Sequence, residues 1–350
     1  MSQSRKKRAD KRAVEQAPSP KLQAGDRRGR RTGIIIAAVV IAVMAATIGF
    51  FSYQQYIAPY RHIVIKADDI NIRMDYFLKR IRLAGGTDPI DMLAQLTKEQ
   101  VIKLAAPQYG IEVSPEDVDE ALRTMFRGES ETISESEFKE WYRQLLNETG
   151  LSDSEFKEYT AILILRTRLH EYLAERVPTV AEQIHLYIIF VETNEEAEKV
   201  RARWEAGEDF SDLARELSLD ETIREKGGEL GWFPRGGVLD AQLEYEAFNL
   251  TTGNVSQPLP LITEESSAEG EPVPTIVGYY LVMVSEKAAA RELDEDSLQV
   301  IKGNALEDWL SVERGNHEVR WHGFNNGYDS ETDFWVKLQL AKMARQRENE

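Results

Sequence analysis

The stretch Ile184–Val191 reads IHLYIIFV, and the chain changes character there. An unbroken run of β-branched and aromatic residues is typical of a central strand that is covered on both faces. Upstream, residues 61–180 carry apolar residues at helical spacing, with helix N-caps predicted at Ser114 and Ser152. Downstream, short helices alternate with a glycine-rich turn and end in a strand at Ile276–Val284. We therefore expect an α+β fold, in which a mostly helical region precedes a compact α/β domain.

Composition divides the chain further. Residues 260–275 are rich in Pro, Glu, Ser and Gly and predict a mobile insertion, whereas Val255–Pro258 predicts another short strand. A helix with Trp309 on its apolar face follows the α/β domain, and a last amphipathic stretch covers Phe334–Met343. The expected organisation is a basic tail at 1–31, a transmembrane anchor at 32–55, a helical module at 56–180, the α/β domain at 181–288, and C-terminal helices at 289–350 that pack on the helical module.

The segment Gly33–Phe51 is almost entirely apolar. As a helix its 19 residues would be about 28 Å long, close to the thickness of the hydrocarbon core of a bilayer. The first 31 residues hold eleven Lys and Arg against three acids, which predicts a cytoplasmic N-terminus by the positive-inside rule. A cleaved signal peptide usually has a shorter apolar stretch and a small-residue cleavage site, so the pattern favours an uncleaved single-pass anchor. We expect the bulk of the protein to be extracytoplasmic.

Charge and composition exclude several classes of function. The whole chain has a net charge of −17, and because the first 31 residues contribute +8, the rest carries −25. This acidity argues against nucleic acid as a partner. The absence of cysteine excludes disulfides, thiolate metal sites, cysteine nucleophiles and lipid attachment through a cysteine. Five histidines leave little room for a histidine-rich metal centre.

Four segments, in this order, resemble the parvulin (PpiC-type) peptidyl-prolyl isomerase family: Gly207–Ser218, Gly227–Phe233, Ala247–Pro258 and Gly278–Val282. The helices around Ala105–Asp119 and Thr149–Arg176 look like the N-terminal chaperone module of SurA-type foldases. The helix with Trp309 is similar to the segment that completes that module. The resemblance implies a four-stranded antiparallel sheet with helices, and unfolded or proline-containing exported polypeptides as partners.

Rotation about an Xaa–Pro bond must overcome a barrier of about 18–20 kcal/mol that comes from amide resonance. An enzyme can lower this barrier by holding the proline in an apolar pocket and favouring the twisted amide. No nucleophile, metal or cofactor is needed, and we expect none. The resemblance implies two facing histidines, a nearby Asp or Cys, and apolar side chains that grip the proline ring.

This chain departs from that pattern at both histidines. The first histidine position falls on Ile188, or on Tyr187 if the alignment slips by one, and the second falls on Tyr280. His185 lies three residues before Ile188, so strand alternation predicts that it faces the other side of the sheet. The resemblance makes Asp220 and Tyr280 the candidate catalytic residues. The candidate substrate-binding residues are Tyr187, Ile188, Val238, Leu239, Leu243 and Phe248.

These observations favour a membrane-anchored, extracytoplasmic folding factor for exported proteins, held in the membrane through Gly33–Phe51. Because Ile188 and Tyr280 replace the histidines, we expect weakened or lost isomerase activity. Two alternatives stay open. The domain could be a fully active isomerase in which Tyr280 and Asp220 rebuild a hydrogen-bonding network, or it could be a non-catalytic docking module at the secretion machinery.

Overall fold

The computed structural model describes residues 27–127, 134–266 and 272–347. Most of the expected basic tail at 1–31 lies outside the described residues, as does the centre of the expected insertion at 260–275. The chain divides into two compact units, Met1–Arg61 and His62–Glu350.

The first unit contains a long helix, α1 (Arg27–Tyr56), and a short one, α2 (Ala58–Arg61). Within α1, the 21 residues Ile36–Tyr56 have a mean hydropathy of 2.2, and none of them is buried. This segment is long and apolar enough to cross a membrane. The predicted apolar helix is therefore confirmed, and it extends a few residues beyond Phe51.

The second unit contains the remaining helices and all the strands of the described chain. Its helices are α3 (Met74–Leu83), α4 (Pro89–Ala105), α5 (Pro115–Arg127), α6 (Glu135–Thr149), α7 (Asp153–Ala174), α8 (Asn194–Glu205), α9 (Phe210–Leu217), α10 (Glu221–Glu225), α11 (Ala241–Asn249), α12 (Glu295–Glu313) and α13 (Ser330–Arg347). Its strands are β1 (Ile63–Ala67), β2 (Ile70–Arg73), β3 (Val180–Val191), β4 (Glu229–Pro234), β5 (Leu259–Ser266), β6 (Pro272–Glu292) and β7 (Val319–Trp321).

The predicted helix starts at Ser114 and Ser152 are confirmed. Ser114 precedes α5 and its hydroxyl accepts a hydrogen bond from the Asp117 N–H (3.1 Å). Ser152 forms a full capping box with Glu155 at the start of α7. Thr193 caps α8 in the same way, through a capping box with Glu196.

Helix α12 packs on α4 and α7 after the chain has passed through the α/β domain. Its Leu306 and Leu310 are buried in one apolar cluster with Val101 of α4 and Leu169 of α7. The indole of Trp309 donates a hydrogen bond to the hydroxyl of Tyr109 (2.9 Å). The expected return of a C-terminal helix to the helical region is thus present.

A three-stranded antiparallel sheet in the order β2-β1-β7 also joins the two ends of this unit. This sheet was not predicted, because β1 and β2 lie in the region 61–180 that was expected to be mostly helical, and β7 lies in the region 289–350 that was expected to hold helices. The β1–β2 turn is tight, and Asp68 adopts a positive φ of 49° there. Three-residue β7 is too short to show a strand period.

The four-stranded sheet of the α/β domain is antiparallel throughout, in the order β4-β3-β6-β5, as the resemblance implies. One face of its central strand β3 carries Ile184, Leu186 and Ile188, which pack against α11. The other face carries Ile189 and Val191, which pack against α8 and α9. A strand buried on both faces explains why IHLYIIFV shows no polar alternation.

Two expectations within this domain are wrong. Residues 260–275 do not lack secondary structure in their described part, because β5 pairs with β6 from Leu259↔Tyr280 to Ser266↔Pro272. The strand expected at Val255–Pro258 is reduced to a single bridge between Val255 and Met283. The strand that the sequence analysis missed is β4, which contains Gly231 with a φ of +98° and therefore resembles a turn in sequence.

Candidate functional site

A cleft of about 340 Å³ opens on the α/β domain between the first turn of α11 and the edge strand β5. Its lining residues are Asp240, Ala241, Gln242, Leu243, Leu259, Pro260, Leu261, Ile262 and Tyr280. Two sequence candidates, Leu243 and Tyr280, therefore meet at this cleft. Most of the other side chains that line it are apolar, as a pocket for a proline ring requires.

The apolar cluster beneath the cleft contains more of the candidates. Ile188 and Phe248 are each only 3% exposed, and Leu239, Leu243 and Tyr280 pack against the same cluster. Ile188 and Phe248 therefore support the cleft from inside the domain. Val238 is half-buried in the loop before α11 and is not among the side chains that line the cleft.

Tyr280 is held by an aromatic contact with its cross-strand partner Phe190, whose ring centroid lies 5.0 Å away. The Phe190 ring also covers Gly278, where an added Cβ would lie 2.4 Å from two ring carbons. Glycine is thus required at 278 by close packing. Burial raises the pKa of the Tyr280 hydroxyl, and the negative charges of Asp220 and Asp240 act in the same direction. The phenol therefore stays protonated and can donate a hydrogen bond into the cleft.

Asp220 is exposed and caps α10, where its carboxylate accepts a hydrogen bond from the Ile223 N–H (2.9 Å). The loop before it is tied to β3, since Leu219 N–H donates to the Phe190 carbonyl (2.8 Å). The buried hydroxyl of Ser218 in turn accepts from the Phe190 N–H (3.2 Å). Within the described residues, Asp220 and the Tyr280 hydroxyl share no hydrogen bond, so Asp220 acts on Tyr280 through its charge.

Tyr187 lies on the other face of the sheet, where it packs with the cluster that contains Ile189. The structure therefore does not bring Tyr187 to the cleft. His185 lies on the same side as Tyr187, as strand alternation predicts, with ring centroids 5.3 Å apart. Its Nδ1 is 2.7 Å from the Ser285 hydroxyl and its Nε2 is 3.1 Å from the Glu229 carboxylate.

Two groups of residues that position the cleft were missed by sequence reasoning. The loop before α11 is held by Glu244, whose carboxylate accepts hydrogen bonds from the N–H groups of Gly236 and Gly237 (3.1 Å each). Asn304 of α12 donates to the Gly236 carbonyl (3.2 Å). The cleft wall made by β5 was missed because its composition indicates a loop, although Leu259 and Leu261 alternate as in a strand.

The arrangement offers an apolar surface, one protonated phenol and two exposed carboxylates. It contains no histidine and no nucleophile paired with a base. Across the described residues, no group of three or more His, Asp or Glu side chains is placed to hold a metal ion. The cleft can therefore bind an apolar ring and donate one hydrogen bond to a neighbouring carbonyl.

Residues 191–286 match the family model of the PPIC-type peptidyl-prolyl isomerase domain, also called rotamase. The match begins at Val191, the last residue of β3, and covers the cleft and most of β6. Residues 191–286 are therefore similar to PPIC-type peptidyl-prolyl isomerase domains.

Among curated proteins, the chain is similar to bacterial proteins named foldase protein PrsA. It is 30% identical over 220 residues to that of Halalkalibacterium halodurans, covering 58% of this chain and 60% of the relative. It is 34% identical over 123 residues to that of Bacillus subtilis, covering 35% of this chain and 36% of the relative. The chain thus spans less than two thirds of the length of these two relatives.

Solved structures give matches of the same kind. A crystal structure of PrsA from Bacillus cereus has 19% identity and a TM-score of 0.35, with 81% of this chain and 93% of that chain covered. The solution structure of the parvulin of Nitrosopumilus maritimus has 29% identity and a TM-score of 0.24, with 30% of this chain and 98% of that chain covered.

Proposed function

We propose that this protein is a membrane-anchored, extracytoplasmic folding factor that binds unfolded, proline-containing segments of exported polypeptides. The observation that carries the proposal is the apolar cleft between α11 and β5, which has the Tyr280 hydroxyl at its wall. The PpiC-type domain match and the similarity to proteins named foldase support it. The regions at 1–31, 32–55, 56–180, 181–288 and 289–350 would then be the cytoplasmic tail, the anchor, a SurA-like helical module, the parvulin domain and the segment that completes the module.

The cleft favours binding over fast isomerisation. Ile188 occupies one histidine position, has no polar group, and is 3% exposed. The phenol of Tyr280 is then the polar group that can donate a hydrogen bond to a twisting amide. Asp220 influences Tyr280 only through its negative charge. Desolvation in an apolar cleft destabilises the planar, more polar amide relative to the twisted one, which lowers the barrier by a modest amount. We therefore propose weakened prolyl isomerase activity beside intact binding.

Two assays on the full chain in detergent micelles test this proposal. The first measures suppression of aggregation of a denatured client, and the second measures isomerisation of an Xaa-Pro tetrapeptide. We expect clear suppression, which Leu243→Asp abolishes because it places a charge on the apolar wall. We also expect slow isomerisation that Tyr280→Phe reduces further.

Tyr245→Phe is the matched control for the phenol, because Tyr245 lies on the same helix as Leu243 and is 66% exposed. It should leave both assays unchanged. A wild-type chain that neither suppresses aggregation nor binds unfolded peptides would refute the proposal. Crosslinking that captures a single stable partner and no clients would instead favour the docking module.

A further inference from the structure

The edge of the four-stranded sheet extends beyond the cleft as a two-stranded arm. We define this arm as residues 259–266 of β5 and 272–277 of β6, which pair in antiparallel register. β5 is the outer strand of its sheet, so one side of its backbone has no strand partner among the described residues. Unpaired strand edges of this kind are ready templates for another extended chain.

The arm also exposes large apolar side chains. Ile262 is 53% exposed, Ile276 is 51% exposed, and Val273 and Val277 are 45% and 38% exposed. Ile262 and Ile276 are register partners, so their side chains lie side by side. Val273 and Val277 lie an odd number of residues from Ile276 on β6, so they face the other side of the arm. Exposed apolar pairs such as Ile262 and Ile276 on a protein surface indicate a binding surface.

The arm is continuous with the cleft. Ile262 belongs to the arm and also lines the cleft together with Tyr280. A register shift in the pairing lies between Leu261 and Ile262, at the point where the strand leaves the body of the domain. Such bulges bend an edge strand and are common beside functional sites. A polypeptide bound in the cleft would therefore continue directly along the arm.

The backbone conformation of a proline-containing segment fits a surface that runs from the cleft along the arm. Proline fixes its own φ near −65°, and the residue before it is restricted to extended conformations. An unfolded segment around an Xaa–Pro bond thus already has the backbone shape of a strand. Pro260 removes one N–H from β5, but the following residues Leu261, Ile262 and Thr263 keep theirs.

We propose that the arm binds the residues flanking the client proline as an added β-strand, and that it selects extended segments with apolar side chains. This inference rests on the proposed function and adds the length and conformation of the client that the site recognises. A proline with its immediate neighbours fills the cleft, and the flanking apolar residues lie along β5 and contact Ile262, which is supported by its register partner Ile276.

The test compares long and short ligands on the full chain in micelles. One ligand is a fluorescent peptide of about 20 residues with one proline and alternating apolar residues, and the other is a proline tetrapeptide. The length of the longer peptide follows from the strand rise of about 3.3 Å per residue. Wild type should bind the long peptide more tightly than the tetrapeptide. Ile276→Asp should reduce this length advantage about fivefold, because a half-exposed isoleucine loses its apolar contact.

Val312→Asp is the matched control, because Val312 is 73% exposed on α12 and lies outside the arm. It should leave the length advantage unchanged. A second ligand, the same long peptide with an N-methyl group on every flanking residue, keeps its side chains but has no flanking N–H left to donate on either edge of the strand. It should bind as weakly as the tetrapeptide. Hydrogen exchange at Leu261 and Thr263 should slow on binding of the unmodified peptide.

The outcomes separate the two proposals. If wild type binds no unfolded peptide of either length, the proposed function fails. If wild type binds the long peptide but the Ile276→Asp chain binds it equally well, the arm proposal is overturned. It is also overturned if the N-methylated peptide keeps full affinity. A wild-type dimer that Ile276→Asp turns into a monomer, with the length advantage intact, would make the arm a contact between copies and overturn it as a client site.

Discussion

Replacing Arg80 by methionine should destabilise the helical region severely, although it lies far from any candidate catalytic group. Arg80 of α3 and Glu99 of α4 form a bidentate ion pair with both N···O distances at 2.7 Å. Their side chains are only 2% and 7% exposed. The guanidinium also donates to the Tyr76 hydroxyl (3.0 Å) and lies over the Tyr159 ring, 4.4 Å from its centroid.

The loss of stability in each variant depends on which buried charged group the substitution leaves without its partner. Arg80→Met leaves the Glu99 carboxylate buried with only the Gln95 amide as partner (3.2 Å), and removing one partner of a buried pair costs about 3–5 kcal/mol. Glu99→Leu should cost a similar amount, because it leaves the guanidinium unpaired. The double variant removes both charges, so we expect a loss of only about 1 kcal/mol from the Tyr76 hydroxyl that has no partner. The single losses should therefore far exceed the loss in the double variant.

Hydrogen exchange at the amides of α3 and α4, in the full chain in micelles, reports this free energy of opening locally. The control is Arg143→Met, since Arg143 and Glu140 form a pair that is 63% and 54% exposed and that solvent screens, so its loss should leave the exchange of α3 and α4 unchanged. Exchange at β3 and β6 should stay unchanged if 181–288 is a separate domain. A double variant as unstable as Arg80→Met would refute the reasoning about the buried charge.

Three further predictions concern other parts of the second unit. Ser218→Ala should leave the Phe190 N–H without its partner and cost about 1–3 kcal/mol, measured by urea unfolding, whereas an effect below 0.5 kcal/mol would mean that water replaces the hydroxyl. Gly278→Ala should displace the Phe190 ring, so tetrapeptide affinity should fall at least tenfold, and unchanged affinity would contradict the packing argument. Hydrogen bonds from His317 and from the Glu318 N–H hold the pKa of Asp68 below its ordinary value of 3.8. This interaction stabilises the fold above pH 3.8 and is lost as the pH falls through the lowered pKa, so the Tm difference between wild type and Asp68→Asn should be full at pH 6 and shrink below pH 3.8.

Much of the fold could be predicted because local signals coincide with the final structure. The apolar period, the Ser152 capping box and the IHLYIIFV run each act within one element, and each is found where expected. The sheet of β1, β2 and β7 could not be predicted, since its strands are short and their pairing joins distant residues. The arm was missed for a related reason. Its composition indicates a loop, and only the pairing with β6 makes it a strand.

The candidate site was predicted in part. Leu243 of α11 and Tyr280 of β6, which were chosen from the family pattern, both line the cleft. Tyr187 faces away from it, since a shift of one residue along a strand reverses the direction of the side chain. Phe190 holds Tyr280 through a cross-strand ring contact, and Glu244 holds the loop before α11 through hydrogen bonds. No local sequence pattern reveals such contacts.

The sheet that joins β1 to β7 has a consequence for how the chain folds during export. Asp68 and His317 are in contact across 249 residues of sequence, and His322 N–H donates to the Val64 carbonyl (2.8 Å). Contacts this distant in sequence form late, because the whole intervening chain must be available first. β1 and β2 follow directly after the first unit and cannot complete their sheet until β7 has been made, while the α/β domain between them has all its own strands within about 110 residues. The α/β domain should thus complete its sheet before the sheet of β1, β2 and β7 can close.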